Sequence, residues 1–179
     1  LLSAIYAGMV AGTNSVNYMK KLDKRAEDMP STIFDAHIAK EQQKWDDTMA
    51  LNGTENAYVL HKELGEWMTD NVTVVRYNDR LQATDEKIQE LLERYNNINI
   101  NDTQKWSNQG ATFTRQLKNM LYLARVITLG ALNRDESRGA HYKPDFPERN
   151  DDKFMKTTMA KFDPATGAPI FHYEDIDVS

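Results

Sequence analysis

Apolar residues recur at helical spacing through most of this 179-residue chain, and this periodicity limits the fold to packed helices. The longest stripe consists of Phe113, Leu117, Met120, Leu121, Ala124, Ile127 and Ala131. Shorter stripes lie within 31–51, 54–68 and 81–95. The β-branched cluster at 72–75 is interpreted as a helix junction, since no hairpin partner lies nearby. Long helices that are neighbours in sequence predict a helical bundle.

The two ends of the chain differ from this central part. Residues 1–12 are apolar or small at nearly every position, which predicts a helix that packs inside a larger body. Near the other end, the turn-forming segment 163–167 lies between apolar segments 154–162 and 170–173, which predicts a short β-hairpin. We therefore expect three regions: an apolar helix and connector at 1–30, a helical bundle at 31–133, and a charged loop with the hairpin at 134–179.

Composition excludes several kinds of function. The chain has no cysteine, which removes disulfides, thiolate metal sites and cysteine nucleophiles. Its net charge of −5 argues against a nucleic-acid surface, and no apolar run is long enough to cross a bilayer. The histidines, at 37, 61, 141 and 172, lack the spacing of helix-borne metal ligands, and no glycine-rich nucleotide fingerprint is present. The sequence thus predicts neither a metal site nor a catalytic residue.

Residues 133–152 carry the densest charge, with three arginines, one lysine, one histidine and six carboxylates. Arg134 and Arg138, beside Glu136 and Asp145, are placed to bind carboxylates with two N–H groups each and so hold a turn in one geometry. Gly139 is expected to supply the left-handed backbone that ends the preceding helix. A second interpretation remains open, in which Arg138 or His141 faces a small carboxylate ligand.

The order Arg134, Glu136, Ser137, Arg138, Gly139, His141 resembles the Arg-x-Glu-Ser-Arg-Gly-x-His segment of succinate dehydrogenase and fumarate reductase flavoproteins. Residues 1–12 are similar to the small-residue helix of that family, 90–95 to a charged bundle helix, and 145–151 to the loop after the motif. Lys143 departs from the family, in which arginine is common at this position. The resemblance implies a mainly α fold: the end of a flavin-binding domain at 1–30, a spectrin-like three-helix bundle, and a C-terminal extension with a short β-hairpin.

The resemblance also implies a parent enzyme that oxidises succinate with FAD and passes electrons to an iron–sulfur subunit. In this chain only Leu1, beside the family's flavin-contacting serine, matches a cofactor contact. The family's catalytic residues map upstream of Leu1. A start at leucine without methionine is expected of a piece of a longer polypeptide. Expected partners are the upstream flavin-binding domain, the iron–sulfur subunit, membrane anchors indirectly, and a second copy through the N-terminal helix. The implied location is peripheral, on the cytoplasmic side of the membrane.

Two alternatives stay open. One is a free-standing acidic helical adaptor that recognises a partner through its bundle face. The other keeps the architecture but makes the parent a fumarate reductase or an L-aspartate oxidase.

Overall fold

The computed structural model describes residues 2–177, which divide into two units at the Lys44–Trp45 bond. In the first unit, α1 (Leu2–Met19) is followed by a short 3-10 helix (Ala26–Asp28) and by the start of α2 (Ser31–Met49). No residue of α1 is buried, although Leu2, Ile5, Tyr6 and Met9 are large and apolar. The helix predicted at the start of the chain is therefore confirmed, and its apolar surface is exposed in this structure.

The second unit contains the helices of the bundle and the hairpin. Its elements are the end of α2, α3 (Ala57–Val72), α4 (Asn78–Tyr95), α5 (Gln109–Leu132), α6 (Asp151–Phe154), β1 (Lys156–Asp163) and β2 (Ala168–Asp175). Asn56 and Asn108 cap the starts of α3 and α5 by accepting hydrogen bonds from the backbone N–H groups of Tyr58 and Ala111. The mainly α fold with a terminal hairpin is confirmed, and the predicted junction at 72–75 falls where α3 ends.

The bundle core is formed by α3, α4 and α5. Its fully or almost fully buried side chains include Leu60, Leu64, Ile88, Leu91, Leu117 and Leu121. A smaller cluster of Val72, Leu81 and Ala131 extends the core toward the C-terminal end of α5. The stripe predicted on α5 was wrong at one position: Ile127 is 51% exposed, whereas Thr128, one position later, is fully buried. The buried face of α5 thus continues from Leu121 and Ala124 to Thr128, at the spacing of three and four residues that one helix face requires.

Two connections pair with each other at one end of the bundle. The segment 51–55, between α2 and α3, lies against the segment 97–100, between α4 and α5, and we call these two segments the connector pair. Isolated β-bridges join Asn52 to Asn99 and Glu55 to Ile98. Ile98 is fully buried in the bundle core, so the connector pair is attached to the core as well as to itself.

The hairpin packs one face against α5. Tyr122 of α5 meets Phe162 of β1 edge to face, with ring centroids 5.0 Å apart. Arg125 of α5 binds Asp85 of α4 at 2.8 Å and also donates to the carbonyl of Gly167 in the hairpin turn. These contacts hold the C-terminal hairpin against α5, the helix that precedes the sequence motif.

Candidate functional site

Residues 133–150 form the arginine–histidine loop, which connects the end of α5 to the start of α6. At its centre, the Glu136 carboxylate is fully buried. Arg134 donates to Glu136 Oε1 at 2.6 Å, while Arg138 donates to Oε1 at 2.9 Å and to Oε2 at 3.0 Å. The backbone N–H of Asn150 completes the set at 2.8 Å. One carboxylate therefore joins the beginning of the loop to its end.

The environment of Glu136 keeps it ionised. Burial raises the pKa of Glu136, but hydrogen bonds from Arg138, the Asn150 N–H and Arg134 together outweigh burial and lower the pKa to about 2. At neutral pH the carboxylate thus carries a full charge without contact with water, and its charge is balanced by the two guanidinium groups.

Arg134 extends this set of contacts to the hairpin. Besides Glu136, it donates to the carbonyls of Phe154 and Lys156 at 2.9 Å and to Thr158 Oγ1 at 3.0 Å. Its guanidinium also lies over the Phe154 ring, 5.3 Å from the centroid. A planar group with several fixed N–H donors is suited to these simultaneous contacts, which a lysine cannot reproduce.

Arg138 has a second carboxylate partner, which is Asp151 at 2.6 Å and not the predicted Asp145. Asp145 lies exposed on the loop, whereas the first residue of α6 brings Asp151 next to the guanidinium. Hydrogen bonds from Arg138 and Arg149 lower the pKa of Asp151. The sequence identified the arginine correctly but could not indicate which acid the turn at 145–150 brings close.

Gly139 adopts the left-handed conformation, with φ of 59°, but it does not end α5. That helix ends at Leu132, with Asn133 as its C-cap, so Gly139 lies six residues after the cap. Gly139 instead occupies the first central position of a tight turn in which Arg138 and His141 exchange two backbone hydrogen bonds, of 2.8 and 3.0 Å. Glycine at this position is typical of a type II′ turn. The turn directs His141 back toward the bundle.

His141 is half-buried, and both of its ring nitrogens have partners. Nδ1 lies 2.5 Å from Arg76 Nη1, and Nε2 lies 2.9 Å from the carbonyl oxygen of Arg134. Burial lowers the pKa of His141, and the neighbouring cations Arg76, Lys143 and Arg134 lower it further, although the hydrogen bond to Arg134 acts in the opposite direction. Arg76 precedes α4, so His141 connects the loop to a part of the chain 65 residues away.

Lys143 is the other buried cation of the loop, with 1% of its surface exposed. Its Nζ donates to the carbonyl of Leu132 at 3.0 Å and to Asp135 at 2.9 Å. Asp135 also accepts a hydrogen bond from Asn78 at the start of α4. Burial lowers the pKa of Lys143, while the hydrogen bond to Asp135 raises it. Sequence analysis noted Lys143 only as a departure from the family pattern and did not predict its burial.

Replacing Lys143 tests the importance of this buried ammonium group. We expect Lys143→Met to lower the free energy of unfolding by about 1–3 kcal/mol, because the Leu132 carbonyl loses its hydrogen bond from the buried Lys143 ammonium group. The cost stays moderate because Asp135 is 37% exposed and can be rehydrated. Urea denaturation followed by circular dichroism measures the change. Lys161→Met, at an exposed position of β1, is the control and should stay within about 0.5 kcal/mol of the unchanged chain.

If Lys143→Met were as stable as the Lys161→Met control, the buried Lys143 contacts would make no net contribution to stability.

The buried and half-buried charged groups of this loop are thus bound within the chain. Arg134, Arg138 and Glu136 form one set, and His141 and Lys143 each have at least two partners in the chain. Across residues 2–177, no three acidic or histidine side chains converge in a way that would hold a metal ion. An open groove of about 560 Å³ beside the loop is lined by Asp135 and 146–152 and faces solvent. The predicted flavin contact, Leu1, lies outside the residues that the structure describes.

Comparison with known proteins shows which family the chain belongs to. A family model described as the fumarate reductase flavoprotein C-terminus matches residues 61–179. The chain belongs to this family. It is 70% identical over its whole length to the succinate dehydrogenase flavoprotein subunit of Bacillus subtilis (strain 168), of which it covers 30%. It is 32% identical over 98% of its length to a fumarate reductase flavoprotein subunit of Helicobacter pylori, of which it covers 24%.

A solved structure shares the fold. The match to a quinol fumarate reductase of E. coli has a TM-score of 0.79 at 30% identity and covers 84% of this chain and 26% of that one. The chain therefore spans about a quarter to a third of the length of the relatives it matches. The family resemblance inferred from the motif at 134–141 is confirmed.

Proposed function

We propose that this chain is the C-terminal helical domain of a succinate dehydrogenase flavoprotein. The observation that carries the proposal is the 70% identity, over the whole chain, to the Bacillus subtilis protein of that name. The fumarate reductase relative from Helicobacter pylori is 32% identical, which supports succinate oxidation over fumarate reduction as the parent reaction. The parent enzyme then converts succinate to fumarate with FAD and transfers electrons to an iron–sulfur subunit.

Within the parent, this domain has a structural role. The two strands of residues 2–177 form an antiparallel hairpin, which differs from the strand–glycine turn–helix unit that holds a dinucleotide pyrophosphate. We assign the flavin to the upstream part of the polypeptide, as the family resemblance implies. The mutual contacts of Arg134, Glu136 and Arg138 support a loop that is held rigid for packing rather than for binding substrate.

The exposed apolar surface of α1 supports its packing against the upstream flavin-binding domain. Leu2 is 84% exposed and Met9 is 69% exposed, and contiguous apolar surface of this kind marks an interaction site. The same proposal includes the domain boundary at residue 30, the flavin contact at Leu1 and a homodimer of the isolated chain through α1. Among residues 2–177 no helix has the length and apolar character needed to span a bilayer. The proposed location is peripheral, on the cytoplasmic side, with membrane anchors contacted only through the iron–sulfur subunit.

The proposal is tested by comparing this 179-residue chain with the complete protein of its source gene. We expect the chain alone to be colourless and unable to reduce a dye with succinate, because the flavin site lies upstream. The complete protein should show flavin absorbance and succinate-dependent dye reduction. Tight stoichiometric flavin binding by the chain alone would contradict the proposed division of roles.

The adaptor alternative is tested by the same gene. An upstream Arg-x-Gly-x-Asn-Ser segment supports the flavoprotein, whereas a natural start at Leu1 supports the adaptor.

A further inference from the structure

The arginine–histidine loop is fastened to the α3–α4 connection, residues 73–77, by adjacent contacts. The backbone N–H of Arg76 donates to the carbonyl of Tyr142 at 2.9 Å, and Val75 and Tyr142 form an isolated β-bridge. The Arg76 side chain donates to His141 Nδ1 and, through Nε, to the carbonyl of Val72 at 3.0 Å. The last contact holds the guanidinium in place, so the imidazole meets a fixed cation.

The geometry around His141 requires its neutral form. An arginine side chain can only donate hydrogen bonds, so Nδ1 must accept from Arg76 and cannot carry a proton. Nε2 therefore carries the hydrogen and donates it to the carbonyl of Arg134. Both contacts are satisfied by this one tautomer. A proton added to Nδ1 would convert the acceptor into a donor and place two like charges 2.5 Å apart.

The neighbouring charges add to this effect. Arg76 approaches from the α3–α4 connection, and Arg134 and Lys143 approach from the loop itself. The loop has two carboxylates that are already paired, Asp135 with Lys143 and Glu136 with the two arginines, and two that are exposed, Asp145 and Glu148. In the part of the chain that the structure describes, the one histidine within ion-pairing distance of a carboxylate is His172, beside Glu174. An imidazolium at position 141 thus faces three cations without a carboxylate of its own.

We infer that His141 is an acid-sensitive latch, which holds the arginine–histidine loop against the α3–α4 connection when neutral and releases it when protonated. The direction of the pH dependence follows from the pKa of the ring in the closed and open states. In the closed state burial and the cations lower the pKa of His141, whereas in the open state the ring is hydrated and titrates near its ordinary value of about 6.5. The open state therefore binds the proton more readily, and opening becomes easier as pH falls below that value.

The first experiment measures the histidine directly in the 179-residue chain. Ring ¹⁵N and ¹H shifts, followed by NMR from about pH 8 to about pH 5, report tautomer and pKa for each histidine. We expect His141 to have the Nε2–H tautomer and a pKa below the ordinary histidine value of about 6.5. A pKa at or above that value would overturn the inference.

The second experiment measures release of the loop. Hydrogen exchange, corrected for the intrinsic effect of pH, is followed at the amide of Arg76, whose acceptor, the carbonyl of Tyr142, lies on the loop. We expect this amide to lose protection as pH falls, while amides in the middle of α4 keep theirs. A tenfold loss corresponds to a difference of about one pH unit between the pKa values of the closed and open states.

Two variants make the test specific. His141→Gln keeps a group that both accepts and donates but cannot titrate, so the acid-dependent loss of protection should disappear. Arg76→Gln keeps a donor without the charge, so the pKa of His141 should rise and the acid-dependent loss should shrink. The second variant keeps the test decisive if the first does not fold. Unchanged pH dependence in either folded variant would overturn the inference.

Discussion

Glu136→Ala is expected to lower the free energy of unfolding of this chain by about 3–5 kcal/mol, the cost typical of removing one partner from a buried ion pair. The side chain is fully buried, and its removal leaves the largely buried Arg134 guanidinium without its carboxylate partner and the Asn150 N–H without its acceptor. Arg138 is less affected because it keeps Asp151. Chemical denaturation followed by circular dichroism measures the change.

The pH dependence of Glu136 gives an independent estimate of the same contribution. Its pKa is about 2 in the folded chain, against an ordinary value of about 4.5, and this difference corresponds to about 3 kcal/mol. A carboxyl group whose pKa is lowered by folding stabilises the fold above the unfolded pKa and loses that contribution as pH falls through the folded pKa. Between about pH 4.5 and about pH 2 the unchanged chain should therefore lose stability more steeply than Glu136→Gln.

The matched control is Glu148→Gln, an exposed carboxylate on the same loop. It should change stability by no more than about 0.5 kcal/mol. Parallel pH profiles for the unchanged chain and Glu136→Gln would show that the buried carboxylate does not carry the predicted stability. Such a result would remove the physical basis for the loop as a rigid packing element.

Local patterns predicted most of the helices because each stripe is a property of one segment. The stripe through Leu117, Leu121 and Ala124 placed α5, and the turn at 163–167 placed the hairpin. The error at Ile127 has a clear cause, since a hydrophobicity pattern counts threonine as polar. Buried Thr84 and Thr114 donate their hydroxyl hydrogens to the carbonyls four residues earlier, so they occupy apolar positions without an unsatisfied polar group.

The candidate site was predictable only in part. Arg134, Glu136 and Arg138 lie within five positions, so their charges indicated a mutual contact before the fold was known. Arg76 could not be predicted, because it reaches the loop from the α3–α4 connection, and Asn150 could not, because only the folded path of the loop brings its N–H to Glu136. Sequence proximity favoured Asp145 over Asp151, but the direction of the chain after the turn decides which acid meets Arg138.

Gly53 shows the same limit. An Asn-Gly pair in a sequence is typical only of a helix stop, whereas the structure requires glycine here for a contact across the connector pair. A Cβ atom at position 53 would lie 1.9 Å from the carbonyl oxygen of Asn97 and 2.3 Å from its carbonyl carbon. That oxygen accepts hydrogen bonds from the N–H groups of Thr54 and Glu55, both at 2.8 Å. The backbone therefore cannot move away without breaking these bonds.

We accordingly expect Gly53→Ala to lower the free energy of unfolding by about 3–5 kcal/mol, from overpacking of about 1–3 kcal/mol and the loss of two hydrogen bonds of about 1 kcal/mol each. Gly65→Ala is the matched control, because Gly65 lies on the exposed face of α3 and nothing lies within 4 Å of the added Cβ. That variant should gain about 0.5–1 kcal/mol from helix propensity. Urea denaturation of both variants measures the two changes in the free energy of unfolding. We expect them to have opposite signs, although both variants replace glycine by alanine. Similar stability of the two variants would mean that the connector pair opens at little free-energy cost. The pair would then not hold the starts of α3 and α5 in place.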